Sequence, residues 1–424
     1  MKLRRTPEDF RVTELLTEDW SSRTRPAPGR DAPLALYALQ KRSLTTPDAC
    51  AHFARALGVP PGCVNWAGLK DKHGITTQHI TLAHPSPRAI LPAHLKGETW
   101  SARRVGFHPW HLAAAAIAGN LFEITARALD ISGAAQVRTN ADFLATPADP
   151  TTLRFTNVFG AQRFAGVARD EIARTAADSS APVGASFAGR ALAQGDYPRA
   201  IRLLAEGSAR PGTDSALALA AWGDWPRMLA DHPPVRLRPA LEVLAAGGEP
   251  RDAFAAWPFL DQQFAVEAYQ SLLWNQTARG VISATFPADA CINVPDRLTA
   301  ALHPTPEFAQ PATDALASVE IPMLCGRTVM LKPWADFAKA ALRAEGILVT
   351  DLKVKGLRRP AFREALRPLF AHARAFSISS ALPDDLAAPG SSRALKLDLR
   401  FELPRGTYAT VLLAALARGV HTPE

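Results

Sequence analysis

The sequence predicts an α+β fold in which both chain ends build one sheet domain around a helical insertion. Three observations predict it. Period-two alternation marks strands near each end, over residues 119–127 and 396–404. Ala-rich helical patterns with Pro and Gly joints dominate from about Thr156 to Arg359. The 424-residue length exceeds one typical domain and falls short of three. The expected division is residues 1–155 with 360–424, and an insertion over 156–359.

Taken in order, Glu8 to about Leu39 reads as extended chain punctuated by Ser21, Ser22, Pro26, Pro28 and Gly29. A helix follows. Thr46 is its expected cap, Pro47 and Asp48 suit its first turn, and Phe53, Ala54 and Leu57 form its apolar stripe. Gly58 and Pro60 stop it. Residues 65–83 read as two extended pieces around a turn at His73-Gly74, which puts Lys70, Asp71 and Lys72 at a strand end. Residues 112–118 look helical by propensity. Phe122, Ile124 and Ala126 then share one side of a strand. In the insertion, Phe264, Ala268, Leu272 and Leu273 make a face for burial on a long helix. Leu397, Leu399, Phe401 and Leu403 define the closing strand, a turn follows at Pro404–Thr407, and a last helix ends at Gly419.

Composition narrows the class. The chain is 47% hydrophobic, which is enough apolar material for a core and excludes wholesale disorder. Its formal charge of +8 favours a polyanionic partner without naming one. Cys50, Cys63, Cys291 and Cys325 form no CxxC pair, so neither a zinc site nor a disulfide framework is expected. The opening MKLRRTPEDF lacks the apolar stretch of a signal peptide, and the apolar runs are too short to span a bilayer. A cytoplasmic protein is the expectation.

Two places carry charge worth following. Residues 352–374 hold seven basic side chains (Lys353, Lys355, Arg358, Arg359, Arg363, Arg367, Arg374) against one acid, Glu364. Such a run reads either as a solvated helix face or as a track for phosphates, and the single acid favours phosphates. The second place is Asp71 between two lysines. In extended chain both lysines point away from the carboxylate, so a basic partner for Asp71 would come from elsewhere. By itself the motif is also what an ordinary charged turn looks like. Phosphate-binding, dinucleotide, zinc-protease, serine-hydrolase and calcium signatures are all missing from the sequence. His108 and His111 flank Pro109 and Trp110 and suggest no metal site.

Six blocks in order resemble the TruD family of tRNA pseudouridine synthases: PEDFRVTE at 7–14, AGLKDKHGITTQ at 67–78, GNLFEITAR at 119–127, TNVFGAQRFA at 156–165, YQSLLWN at 269–275 and FELPRGTYATVLL at 401–413. The resemblance implies a pseudouridine synthase-type catalytic domain with a mixed or antiparallel sheet, interrupted by a mostly helical α/β TRUD domain. It implies an isomerase that breaks the uracil glycosidic bond and rejoins the base through carbon-5, with no cofactor and no metal. Asp71 matches the family's essential aspartate. Phe122 would stack on the target uracil, Asn120 would read its edge, and Phe10 and Phe401 would surround the nucleotide. Arg4 is the candidate partner of Asp71. RNA contacts are expected from Lys70, Lys72, Arg163, Lys353, Lys355, Arg358 and Arg359. The implied substrate is tRNA at uridine-13, with no membrane and no obligate protein partner. The segment at 189–204 resembles longer archaeal and eukaryotic members, and Ala165 stands where a glycine is usual. Both leave another RNA as an alternative target, and a silent RNA-binding protein on the same fold is the rival reading.

Overall fold

The computed structural model describes residues 1–86, 90–167, 181–208, 219–231, 233, 235–296, 298–305, 315–387 and 394–420. The chain forms two compact units. The first comprises Met1–Arg154, Ala371–Ala409 and Leu416–Glu424; the second comprises Phe155–Phe370 and Thr410–Ala415. Residues 360–370 therefore group with the insertion.

The first unit opens with strand β1 (Phe10–Leu16), which buries Phe10, Val12 and Glu14 on one face. Next comes β2 (Leu34–Arg42), whose buried run includes Tyr37, Leu39 and Lys41. The helix Thr46–Ala56 packs Cys50, Phe53 and Ala54 into the core, with Phe53 edge-on to Tyr37. Its cap is Thr45, one residue earlier than expected. Thr45 has the extended backbone a cap requires, and its hydroxyl accepts the Asp48 N–H. Thr46 is freed for another task described below.

Strands β3 (Val64–Trp66), β4 (Ile75–Leu82), β5 (His94–Lys96), β6 (Trp100–His108) and β7 (Ile117–Leu129) follow. The helix expected over 112–118 shrinks to one 3-10 turn at Ala114–Ala116. Ile117 onward is instead claimed by ladder bonds to β1, so tertiary pairing overrides alanine's propensity. After a helix at Ile131–Leu144 come β8 (Ala145–Thr146) and β9 (Asp149–Thr156).

The second unit is built on the 27-residue helix Phe259–Thr285, which buries Ala268, Leu272 and Leu273 as its periodicity predicts. Phe264 does not join them; it is 55% exposed, with the Arg163 guanidinium beside its ring. Polar side chains tie this helix to its surroundings. Gln270 donates to the carbonyls of Leu324 and Arg363, and the Trp274 indole donates to that of Ile321. Two small antiparallel ribbons complete the unit, β10 (Cys291–Val294) with β11 (Ala301–Pro304), and β12 (Glu320–Pro322) with β13 (Leu366–Pro368).

The chain then returns to the first sheet with β14 (Phe370–Ile378), β15 (Leu382–Pro383) and β16 (Leu395–Pro404). The resulting order is β5-β6-β2-β4-β1-β7-β16-β14-β9-β8, with β3 on β4 and β15 on β16. The sheet is mixed: β1 runs parallel to β4 and antiparallel to β7. Leu397, Leu399, Phe401 and Leu403 are all buried, as their alternation requires. A clasp joins early and late chain within this unit. The buried Arg127 donates to Asp9 at 2.7 Å and to Asp384 at 2.6 Å.

Candidate active site

The segment between β3 and β4, residues 67–74, presses against β1. Gly74 allows this, because a Cβ there would lie 2.5 Å from the Phe10 carbonyl oxygen. Two buried groups pin the segment. The Lys70 N–H donates to the Thr46 hydroxyl at 3.0 Å, and that hydroxyl donates to Gln78 at 2.8 Å. The Lys41 ammonium donates to the Asp71 carbonyl at 2.7 Å. Burial pushes the Lys41 pKa down to about 8, against the pull of Asp71 and with the push of Lys70.

So held, Asp71 keeps its side chain 19% exposed. One oxygen accepts the His73 N–H at 3.0 Å, which makes a local turn. The other lies 2.9 Å from Nη2 of Arg4. The Arg4 N–H is not aligned on that oxygen, so the contact is Coulombic and not a directed hydrogen bond. Arg4 adopts φ 61°, a left-handed conformation that a branched or bulky L-residue rarely takes. Its guanidinium sits 3.9 Å above the Phe10 ring. Strain of this kind persists where the surroundings impose it, here between an aromatic face and a carboxylate.

The aromatic residues form a row across β1, β7 and β16. Phe10 meets Phe122 edge-on at 6.2 Å, and Phe122 stacks on Phe401 at 5.3 Å. Phe401 is wholly buried and supports the row from beneath, while Phe122 retains 8% exposure. Lys70 extends toward a second polar group. Its ammonium is 2.7 Å from Glu14 and 2.8 Å from the Asn120 oxygen, so its charge is already committed. Lys72 stays exposed.

Arg4, Phe10, Lys70, Asp71, Asn120, Phe122 and Phe401 therefore belong to one constellation within the first unit. Arg163, Lys353, Lys355, Arg358 and Arg359 belong to the second unit. Arg163 is spent there on Glu267 at 2.7 Å and on the Ser271 hydroxyl. The segment from Lys353 to Arg363 is not a helix face. Gly356 and Pro360 interrupt it, and Lys353, Lys355, Arg358, Arg359 and Arg363 all stand in solvent. Arg367 bonds Asn157 and covers the Phe159 ring.

Sequence reasoning missed Glu14, Lys41 and Thr46. Glu14 leaves a legible trace, since it occupies a buried position in an alternating strand where an apolar side chain is the rule; Lys41 follows the continuous apolar run Leu34–Leu39 and has no such signal. Among the described residues, no three His, Cys, Asp or Glu side chains gather into a metal-binding group.

The sequence model of tRNA pseudouridine synthase D (TruD) matches residues 1–416. The tRNA pseudouridine synthase D of Anaeromyxobacter dehalogenans strain 2CP-C is 30% identical over 98% of this chain and 92% of its own. That of Aquifex aeolicus is 26% identical over 98% of both. A solved structure from Methanosarcina mazei, provisionally described as TruD, superposes with a TM-score of 0.68 at 20% identity, covering 98% of this chain and 93% of that one. The fold is thus a mixed-sheet α+β fold shared with that protein, and the chain belongs to the TruD family of tRNA pseudouridine synthases, which are isomerases.

Proposed function

We propose that this protein converts uridine-13 of tRNA to pseudouridine in the cytoplasm, with Asp71 as the group that acts on the ribose. The observation that carries the reading is the Asp71 carboxylate, its side chain 19% exposed and faced by Arg4 at 2.9 Å, on a backbone whose carbonyl accepts from Lys41. A carboxylate so placed serves as nucleophile at C1′ or as base at C2′.

The target nucleotide leaves its stack, which costs a few kcal/mol. The N1–C1′ bond breaks, the detached uracil turns, and C5 bonds to C1′. The C5 proton is then lost while N1 regains one, so the reaction is an isomerisation without redox change. Phe122 supplies a π-face for the turning base, worth roughly 1–3 kcal/mol. Phe10 and Phe401 hold that ring in place, and Asn120 reads the base edge. Exposed Lys72, Lys353, Lys355, Arg358 and Arg359 supply sequence-independent attraction for phosphates. No helix among the described residues is long and apolar enough to cross a membrane.

Mapping pseudouridine in cellular RNA with and without this gene tests the substrate. The expected result is loss of the uridine-13 signal from tRNA alone. Loss from another RNA, with tRNA unchanged, would reassign the target, the alternative that the segment at 189–204 and Ala165 leave open.

A further inference from the structure

Glu14 is a carboxylate with only 1% of its side chain exposed, on a strand face otherwise shared by Phe10 and Val12. Burial works to raise its pKa, but the His79 hydrogen bonds and the Lys70 charge outweigh it and leave the group below the usual carboxylate range. The two oxygens have separate duties. One accepts the His79 backbone N–H at 2.9 Å, and the other takes the Lys70 ammonium at 2.7 Å. Lys70 reaches on to the side-chain oxygen of Asn120 at 2.8 Å. Asn120 sits directly opposite Glu14 in the β1–β7 register, so one ammonium bridges both strands.

An ammonium has protons and no acceptor. The Asn120 atom that meets it must therefore be the oxygen, which removes the usual ambiguity of an amide. What Asn120 has left is its NH2 group, which makes no hydrogen bond to the protein among the described residues. A neutral, unheld asparagine could turn and offer either edge. Here the ammonium holds the oxygen to one side, so the NH2 group is the end left to meet a base.

We infer that Glu14, acting through Lys70, locks the orientation of Asn120 so that its NH2 group faces the base, and that the site thereby favours a pyrimidine with a carbonyl at the facing position. Uracil, with O4, satisfies it. Cytosine held in the same pose would turn a 4-amino group toward that position, where one N–H donor would face another. Glu14 and Lys70 are positioning residues for specificity, and the inference rests on Asn120 being the base reader of the proposed function.

The test compares two tRNAs differing only by uridine or cytidine at the target position. The readout is the inhibition constant of the cytidine RNA divided by the KM of the uridine RNA. The Glu14→Gln/Lys70→Met pair removes both charges together, so neither is orphaned, and frees the Asn120 oxygen. The ratio should fall by about tenfold in this double variant, by less in Glu14→Gln alone, and by at least as much in Asn120→Ala. A ratio that falls in Asn120→Ala but stays at the wild-type value in the double variant would overturn the lock while leaving Asn120 as the reader. A ratio unmoved by Asn120→Ala would instead remove the underlying reading of the base edge.

Discussion

Lys41 and Lys70 of the first unit are largely buried, and each ammonium is spent on named acceptors, the Asp71 carbonyl for one and Glu14 with Asn120 for the other. Lys353, Lys355, Arg358 and Arg359 of the second unit lie exposed and make no ion pair among the described residues. The same residue types thus do two different jobs. Under the proposed function, a buried, partnered cation holds the site's geometry and is felt in the chemical step. An exposed, unpaired one contributes field, is screened by salt, and is felt in association. The comparison teaches that net charge and site chemistry are separable here, and each can be attacked alone.

The sharpest way to break the comparison is at Arg4. Arg4→Ala removes the counter-charge of Asp71 and should lower kcat about 100-fold with a much smaller change in tRNA affinity. Arg4→Lys should restore part of the loss, since it returns the charge without the planar fork. Steady-state kinetics beside equilibrium binding would separate the two, and a pure affinity loss would place Arg4 with the exposed cations. Next in size is Lys41. Lys41→Met leaves the Asp71 carbonyl without its buried donor and should cost about tenfold in kcat at constant KM. An unchanged kcat would show that the segment holds its shape unaided.

Lys41 also carries a pH signature. Its folded pKa of about 8 lies below the ordinary value of 10.5, so between those limits the unfolded chain binds the extra proton. Wild-type stability therefore gains a component that grows as pH rises through that window, and Lys41→Met should lack it. Denaturant midpoints of both proteins at the two ends of the window would reveal the difference. Identical trends would show that Lys41 titrates normally.

The smallest effect belongs to the second unit. Reversing charge at Arg358 and Arg359 should weaken tRNA binding several-fold and reduce the slope of log affinity against log salt by about 1–2, with kcat unchanged. A slope equal to that of the wild type would remove these residues from the RNA track.

The two regions were also unequally legible from sequence. Strict alternation from Leu397 to Leu403 and at Phe122, Ile124 and Ala126 announced β16 and β7, because a half-buried strand has no other way to satisfy both faces. Asp71 stood out only through the family motif; its local charge pattern is that of any turn. Glu14 showed as a polar residue on an alternating face, which signals a network but not its partners, and Lys41 behind a continuous apolar run gave no signal. Residues 112–118 misled because alanine's helical preference is a few tenths of a kcal/mol per residue and a strand ladder outweighs it. Thr45 displaced Thr46 as cap because Thr46 is needed by Lys70 and Gln78, contacts that only the folded chain creates. In the basic segment, composition spoke to charge and was silent on backbone, so Arg367 looked like its neighbours until Asn157 and Phe159 claimed it.

The most direct measurement is single-turnover pseudouridine formation on saturating tRNA by purified Asp71→Asn protein, with binding followed in parallel. An isosteric amide keeps the shape and the His73 turn but cannot act as nucleophile or base at the ribose. No detectable product is expected over many wild-type half-times, with a tRNA affinity within about threefold of wild type. Product formation at an appreciable fraction of the wild-type rate would contradict the role proposed for Asp71.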